Sequence, residues 1–282
     1  MIDLERVELA GPVAIDGLPD AGDKFSQLCV VVVRDHRARR SPLRLAGHEY
    51  EATQPSGLAA AEAGVPAARE YGVVSEARRV VQAGYDALGP RYRDWSSGSP
   101  VRLHFVDELL RLLPTGSTVV DLGCGSGEPV TRLLSVRHRV LGVDLSRVQL
   151  LLARQAAPRA ALVRADMTEI ALRPESVDAV ASFYAFGHVP PAVHASLLCS
   201  ISSWLRPGGL VLASTPVTAE DETAPDWLGV PMYFGAIGER ATRHAIEAAG
   251  LHLDAARLVA EDEGNGHLVR FLWITAHRPA ET

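Results

Sequence analysis

The chain has 282 residues, 47% of them hydrophobic and 22% charged, enough apolar material for a core that needs no disulfide or metal to hold it. Its 28 basic and 34 acidic side chains leave a net charge of −6, which argues against nucleic acid or anionic membrane as the main partner, since phosphate binding needs a surplus of Lys and Arg. Cys29, Cys124 and Cys199 make neither a zinc spacing nor a disulfide framework, which points to a reducing cytoplasm and to no metal ligand set.

The first residues, MIDLE, are acidic, so no secretory leader is expected, and the apolar run LCVVVV (28–33) is far too short to span a bilayer. Residues 1–68 hold no helical or strand period for long. The basic run RDHRARRSPLR (34–44) within them reads as a solvated segment, with an anion-binding patch as the other reading. From 69 to 278 the chain is regular and forms one domain. Apolar residues recur at helical spacing in AAREYGVVSEARRVVQAGYDALG and in VRLHFVDELLRLL (101–113), the latter stopped by Pro114 and Gly116. Strands and helices then alternate. STVVDLG is a strand and EPVTRLLS a helix; HRVLGVDL is a strand and SRVQLLLARQ a helix with Ser146 as its N-cap. AALVRAD and SVDAVASFY are strands, PPAVHASLLCSISSWL a helix, GGLVLAST a strand, and ERATRHAIEAAG a helix. LHLDAARLVAE and HLVRFLWITAH are the last strands, with EDEGNGH (261–267) as the turn between them. Apolar strands each followed by a helix predict a parallel sheet covered on both faces.

Ligands of such sheets bind beyond the carboxyl ends of the strands. Four stretches therefore share one neighbourhood: DLGCGSG, DLS, ADM and FYAFGH. Gly123, Gly125 and Gly127 form a G-x-G-x-G turn that lets a ligand pack on bare backbone. A dinucleotide fingerprint would need glycine at position 128, where Glu128 would meet a pyrophosphate with the wrong sign, and a phosphate loop would need a lysine that is absent. Asp144 ends the second strand and can accept hydrogen bonds from two ribose hydroxyls, or can be an exposed strand-end acid. Asp166 can take an exocyclic amine while Met167 packs on the ring, or can be a turn aspartate. Asp121, before the glycines, suits a ligand ammonium. The set describes adenosine carrying an amino-acid tail and no phosphate.

VVDLGCGSGEP, VLGVDLS, RADMT, SVDAVASFYAFGHVP and LRPGG together resemble the ordered motifs of class I S-adenosylmethionine-dependent methyltransferases, over residues 75–278. The resemblance implies a doubly wound seven-stranded α/β sheet of Rossmann-like type, with HLVRFLWITAH as its antiparallel strand, and S-adenosyl-L-methionine as cofactor. It implies that Asp121 lies near the methionyl amine, that Asp144 holds the ribose and that Asp166 holds the adenine, with a backbone contact near Phe183; Leu145 and Met167, next to these acids, are further expected cofactor contacts. YDALGPRY (85–92) resembles the helical N-terminal cover of small-molecule members, so Tyr85 and Tyr92 are expected over the cofactor.

His188, in FGHVP, is the candidate general base, with a pocket-shaping histidine as the alternative; His194 is expected to be exposed on the next helix. APDWLGVPMYFG (224–235) reads as an irregular acceptor lid. Its Trp227, Met232 and Tyr233, with Phe234, either contact a flat or apolar small-molecule acceptor or form the lid's own packing. A nucleic-acid methyltransferase would share the fold, but SFYAFG stands where an amine-methylating member carries Asn/Asp-Pro-Pro-Tyr. A cofactor-binding module without turnover is the remaining alternative.

Overall fold

The structure is a computed structural model and describes residues 68–262 and 268–280. The expected N-terminal segment, the tip of the EDEGNGH turn and Cys29 lie outside the described residues. Three helices lead in: α1 (Ala68–Leu88), α2 (Pro90–Ser96) and α3 (Pro100–Leu112). At α3, Ser99 Oγ accepts the Arg102 amide at 3.2 Å and Pro100 takes the first turn, where its missing N–H costs nothing.

The sheet strands are β1 (Thr118–Leu122), β2 (Arg139–Asp144), β3 (Ala161–Arg164), β4 (Val177–Ser182), β5 (Leu205–Pro216), β8 (His252–Asp262) and β9 (Leu268–His277). Between them run α4 (Val130–Leu134), α5 (Arg147–Ala156), α6 (His194–Trp204), entered through a 3₁₀ turn at Pro191–Val193, and α7 (Gly238–Ala248). The sheet order is β3-β2-β1-β4-β5-β9-β8. The first five strands are parallel, and β9 is antiparallel to both of its neighbours, as HLVRFLWITAH was expected to be. Every residue of β1 is buried, because helices cover both faces. On one face Phe105, Leu109, Leu134 and Leu150 pack on Val119, Val140 and Trp273, with the Phe105 and Trp273 rings stacked at 3.8 Å. On the other, Leu197, Ile201, Trp204 and Ile246 pack on Val120, Val143, Val180 and Val211.

Two expectations need correction. APDWLGVPMYFG is not irregular: it belongs to a two-stranded hairpin, β6 (Ala219–Trp227) and β7 (Val230–Ile237). The Pro and Gly that suggested a loop mark its irregularities. Pro225 falls where the register shifts between Ala224 and Trp227, and Leu228 and Gly229 make the turn at φ of 53° and 85°. His194 is not exposed but 1% accessible, and its Nε2 donates to the Val189 carbonyl at 2.8 Å. The sequence showed its helix but not that this turn of the helix faces inward.

The hairpin is fixed to the rest by α1 and by the loop after β4. Ala77, Val81 and Leu88 of α1 pack with Tyr92 against Val230, Met232 and Tyr233. The Gly235 amide donates to the Gly187 carbonyl at 2.8 Å.

Candidate active site

A cleft of about 780 Å³, its mouth included, opens beyond the ends of β1 to β4 and under α1. All four strand ends contribute: Gly123 and Gly125, Asp144 to Ser146, Ala165 to Thr168, and Phe183 to Ala185. A second, wider groove of about 1970 Å³ adjoins it and takes in the hairpin and the ends of β8 and β9. Tyr85, Tyr92, Tyr184 and His188 line both. They form the wall where the two spaces meet.

The glycine turn is built by its own backbone. Gly123, Gly125 and Gly127 all lie in the left-handed region, at φ of 71°, 53° and 78°. Their surroundings differ. A Cβ on Gly123 would stand 2.3 Å from Ala185 Cβ, and one on Gly127 would stand 3.1 Å from Ala153 Cα in α5. On Gly125 it would meet only Tyr92, at 3.8 Å. So Gly125 is the one that leaves bare backbone toward the cleft, while Gly127 serves the packing of α5 and is not on the cleft wall.

Asp144 ties this turn to β2. Its Oδ2 accepts the Gly125 amide and its Oδ1 the Ser146 amide, each at 2.8 Å. Burial pushes its carboxyl up to about 6, against the two amides and helped by the nearby Asp86 charge. Asp86, on α1, in turn accepts Ser146 Oγ at 2.5 Å, so α1 is locked to the start of α5 beside the cleft. Asp166 Oδ1 accepts both the amide and the hydroxyl of Thr168 at 2.8 Å, and its Oδ2 lies 3.4 Å from Arg78. Leu145, Met167 and Phe183 are on the wall as well. Asp121 is not: it is 2% accessible, accepts Thr131 Oγ1 at 2.6 Å behind the glycine turn, and burial raises its carboxyl to about 6.

The shared wall carries an ordered hydrogen-bond chain. His188 Nδ1 is 2.8 Å from the Tyr233 carbonyl, which can only accept, so that nitrogen bears the hydrogen. Nε2 is left to accept from the Tyr85 hydroxyl at 2.7 Å. Burial lowers His188 to about 4, so the ring is neutral at pH 7. Burial also raises Tyr85 well above the usual tyrosine range. Tyr184 sits at φ 62°, an uncommon conformation for a bulky residue, and its amide donates to Ser214 Oγ at 2.7 Å. Its hydroxyl donates to Glu261.

Of the lid residues, Trp227 lines the second groove and touches the rings of Tyr85, Tyr92, Trp95, His188 and Phe234 at 5.7 to 6.2 Å between centroids. Met232 is fully buried against Gly84, and Tyr233 turns its hydroxyl to Asp221 at 2.8 Å; neither reaches a cleft wall. Sequence reasoning missed Arg78 and Gln82, which face the cleft from α1 in the row Val74, Arg78, Val81, Gln82, Tyr85. That spacing is a helical face and could have been read as one. It also missed Arg102, 8% accessible, which lies 4.2 Å above the Tyr184 ring and donates to Tyr92 Oη at 3.0 Å.

The residues fit an adenosine-type cofactor on the structure's own terms: an open glycine backbone, acids at the second and third strand ends, and an apolar wall between them. Residues 119–209 match a family model described as a methyltransferase domain. A probable S-adenosylmethionine-dependent methyltransferase of Mycolicibacterium smegmatis (strain ATCC 700084 / mc(2)155) is 27% identical over 139 residues, 49% of this chain and 53% of that protein. A trans-aconitate 2-methyltransferase of Azoarcus sp. (strain BH72) is 36% identical over 126 residues, 40% of this chain and 48% of that protein. The chain thus spans about half the length of these curated relatives. Among solved structures, a 1,6-didemethyltoxoflavin-N1-methyltransferase of Burkholderia thailandensis, with bound 1,6-didemethyltoxoflavin and S-adenosylhomocysteine, covers 76% of this chain and 91% of its own. The TM-score is 0.56 at 20% identity, a likeness of fold.

Proposed function

We propose that the chain, whose residues 119–209 match a methyltransferase-domain model, is a class I S-adenosylmethionine-dependent methyltransferase that transfers the methyl group of S-adenosylmethionine to a small-molecule acceptor held in the second groove. The observation that supports this reading is that Tyr85, Tyr92, Tyr184 and His188 line both the strand-end cleft and the second groove, as a cofactor space beside an acceptor space would require.

S-adenosylmethionine supplies a methyl already activated on a sulfonium, so the protein need not furnish a nucleophile. In this reading Asp144 accepts from the ribose hydroxyls and Asp166 from the adenine amine, while Leu145, Met167 and Phe183 pack around the rings. Gly125 leaves backbone free for the methionyl part, while Gly123 closes the turn against Ala185. Asp121 acts from behind the turn, as a buried charge holding Thr131. His188, held at about 4 by burial and already accepting from Tyr85, is better suited to orient that hydroxyl than to take a proton from an alcohol. The acceptors this favours need no strong base: a neutral amine, a carboxylate or an acidic enol. Orientation of such an acceptor behind the methyl can supply about 7–11 kcal/mol of the barrier reduction in favourable cases. Trp227 and Trp95 offer flat apolar surface to the acceptor's body.

A net charge of −6 disfavours nucleic acid as the acceptor. No helix among the described residues is long and apolar enough to cross a membrane. Among the described residues Cys124 and Cys199 are both free thiols, which supports a cytoplasmic setting. Calorimetry with S-adenosylhomocysteine and NAD tests the cofactor half, and formation of S-adenosylhomocysteine in the presence of a metabolite panel tests the acceptor half. Tighter binding of NAD would overturn the first. Cofactor binding with no turnover on small molecules would leave a binding module and overturn the second.

A further inference from the structure

The methyl-transfer cleft lies beyond the carboxyl ends of the parallel strands. At the other end of the sheet, where His277 pairs with Leu210 near the start of the buried part of β5, three metal-binding side chains converge. His252 opens β8 and His277 closes β9, and the two are direct cross-strand partners. Asp254 falls at the register shift between Leu253 and Ala255, so it is the residue without a partner in that stretch of the ladder. Its Oδ1 is 3.2 Å from His252 Nδ1 and 2.9 Å from His277 Nδ1, with Oδ2 also 2.8 Å from the latter. One ligand atom from each residue lies within 4.8 Å of the others.

We propose that His252, Asp254 and His277 form a binding site for a borderline divalent transition-metal ion of the zinc type, with water completing the coordination. Three observations support it. The ligand set, two imidazoles and a carboxylate, suits zinc, nickel or copper and not magnesium or calcium, which prefer oxygen. The spacing is close: with metal–ligand bonds of about 2.0–2.1 Å, neighbouring ligands of a tetrahedral ion stand about 3.3 Å apart, so the two separations from Asp254 Oδ1 need to open only by tenths of an ångström, and the two imidazole ligand atoms already lie within 4.8 Å of each other. The ligands also sit on paired strands, which hold the histidines side by side before any ion arrives. Their side chains are 64%, 36% and 33% accessible for His252, Asp254 and His277, which leaves an entry path and room for water. The competing reading is a pair of exposed His–Asp contacts worth little. The linear sequence hides the site, since His277 is far along the chain from the His252-Leu253-Asp254 run.

The ion would pin the edge strand β8 to β9. The other ends of these strands bring Ala260, Val269 and Phe271 to the acceptor groove, so the clip steadies that wall without touching the chemistry.

The test is calorimetric titration of zinc into the untagged, chelator-treated full chain and into H252A and H277A. The expected result is one zinc equivalent in the wild type that is missing, or at least ten-fold weaker, in each variant, with no comparable response to magnesium. Wild type should also melt at a higher temperature with zinc than without, and the variants should lose that rise. Identical zinc isotherms in wild type and both variants overturn the proposal, as does magnesium binding with equal affinity. Circular dichroism checks that the variants fold. If they do not, anomalous diffraction from a zinc-soaked wild-type crystal decides: a peak between the three side chains supports the site and its absence overturns it.

Discussion

The strand ends and the β6–β7 hairpin face each other across one wall but are made differently. At the strand ends the surface is largely backbone, shaped by glycines at positive φ and held by acids that bond amides a few residues away, as Asp144 bonds Ser146 and Asp166 bonds Thr168. On the hairpin the surface is side chain: Trp227 stands among five rings, supported from beneath by Met232 and Tyr233. A backbone-built surface tolerates little change and suits one invariant ligand. A side-chain surface can be re-cut residue by residue without disturbing the fold, as a groove for the proposed acceptor would require.

The largest expected effect tests the first half of that contrast. Gly123→Ala combines a left-handed residue, costing about 1–2 kcal/mol, with overpacking against Ala185, costing about 1–3 kcal/mol. The melting temperature should fall by about 10 °C. Gly125→Ala carries only the conformational cost, because its nearest neighbour is Tyr92 at 3.8 Å. It should melt closer to wild type and lose at least ten-fold in S-adenosylhomocysteine affinity. Equal melting losses with unchanged affinity in both would break the distinction between the two glycines.

Asp144 comes next. Asp144→Ala should weaken S-adenosylhomocysteine at least ten-fold, since one charge-assisted hydrogen bond is worth about 1.5–3 kcal/mol. Its pH behaviour separates binding from folding. With the folded carboxyl near 6 and the ordinary value at 3.8, the folded state holds the proton more tightly. Asp144 therefore favours folding below about pH 4, and that contribution is lost as pH rises through 6. Binding runs the other way, because only the carboxylate accepts from both hydroxyls. Affinity in the wild type should drop below pH 6, and Asp144→Asn should be flat there. Calorimetry and melts at pH 4.5, 6 and 7.5 check both signs.

The same contrast explains what was legible in the sequence. Asp144, Asp166, Gly123 and Gly125 are set by local backbone geometry, and local geometry leaves local marks: an acid at a strand end, a glycine where φ is positive. The sheet itself was readable because buried strands are continuous apolar runs. The burial of Asp121 behind the turn, and the use of Gly127 against Ala153, depend on which way a side chain or a Cα points, and residue type alone does not carry that. The hairpin was hidden because Pro225 and Gly229 read as a loop when they are a bulge and a turn. Met232 and Tyr233 looked like ligand contacts because apolar and aromatic residues are equally at home under α1.

Truncations on the hairpin sharpen this further. Met232→Ala removes a fully buried side chain and should cost about 3 kcal/mol of stability, while leaving the ranking of acceptors unchanged. Trp227→Ala should do the reverse: a small melting shift, S-adenosylhomocysteine affinity within about three-fold of wild type, and at least a ten-fold loss in acceptor kcat/KM. If Trp227→Ala lowers cofactor affinity as much as acceptor use, the second groove is not a separate acceptor site.

The smallest effect falls on the shared wall. Tyr85→Phe removes one hydroxyl and leaves His188 Nε2 buried without its donor, a loss of about 1 kcal/mol or roughly five-fold in turnover. His188→Gln should lose a similar amount. If the pair acts as a unit, the double variant should be little worse than either single one. Because burial holds His188 near 4, no rate change with a midpoint near pH 6.5 should come from it. A limb at 6.5 that vanishes in His188→Gln would mean the ring regains its ordinary proton affinity once cofactor and acceptor are bound. It would then be the base that removes the acceptor's proton, and the range of acceptors would extend to alcohols and phenols.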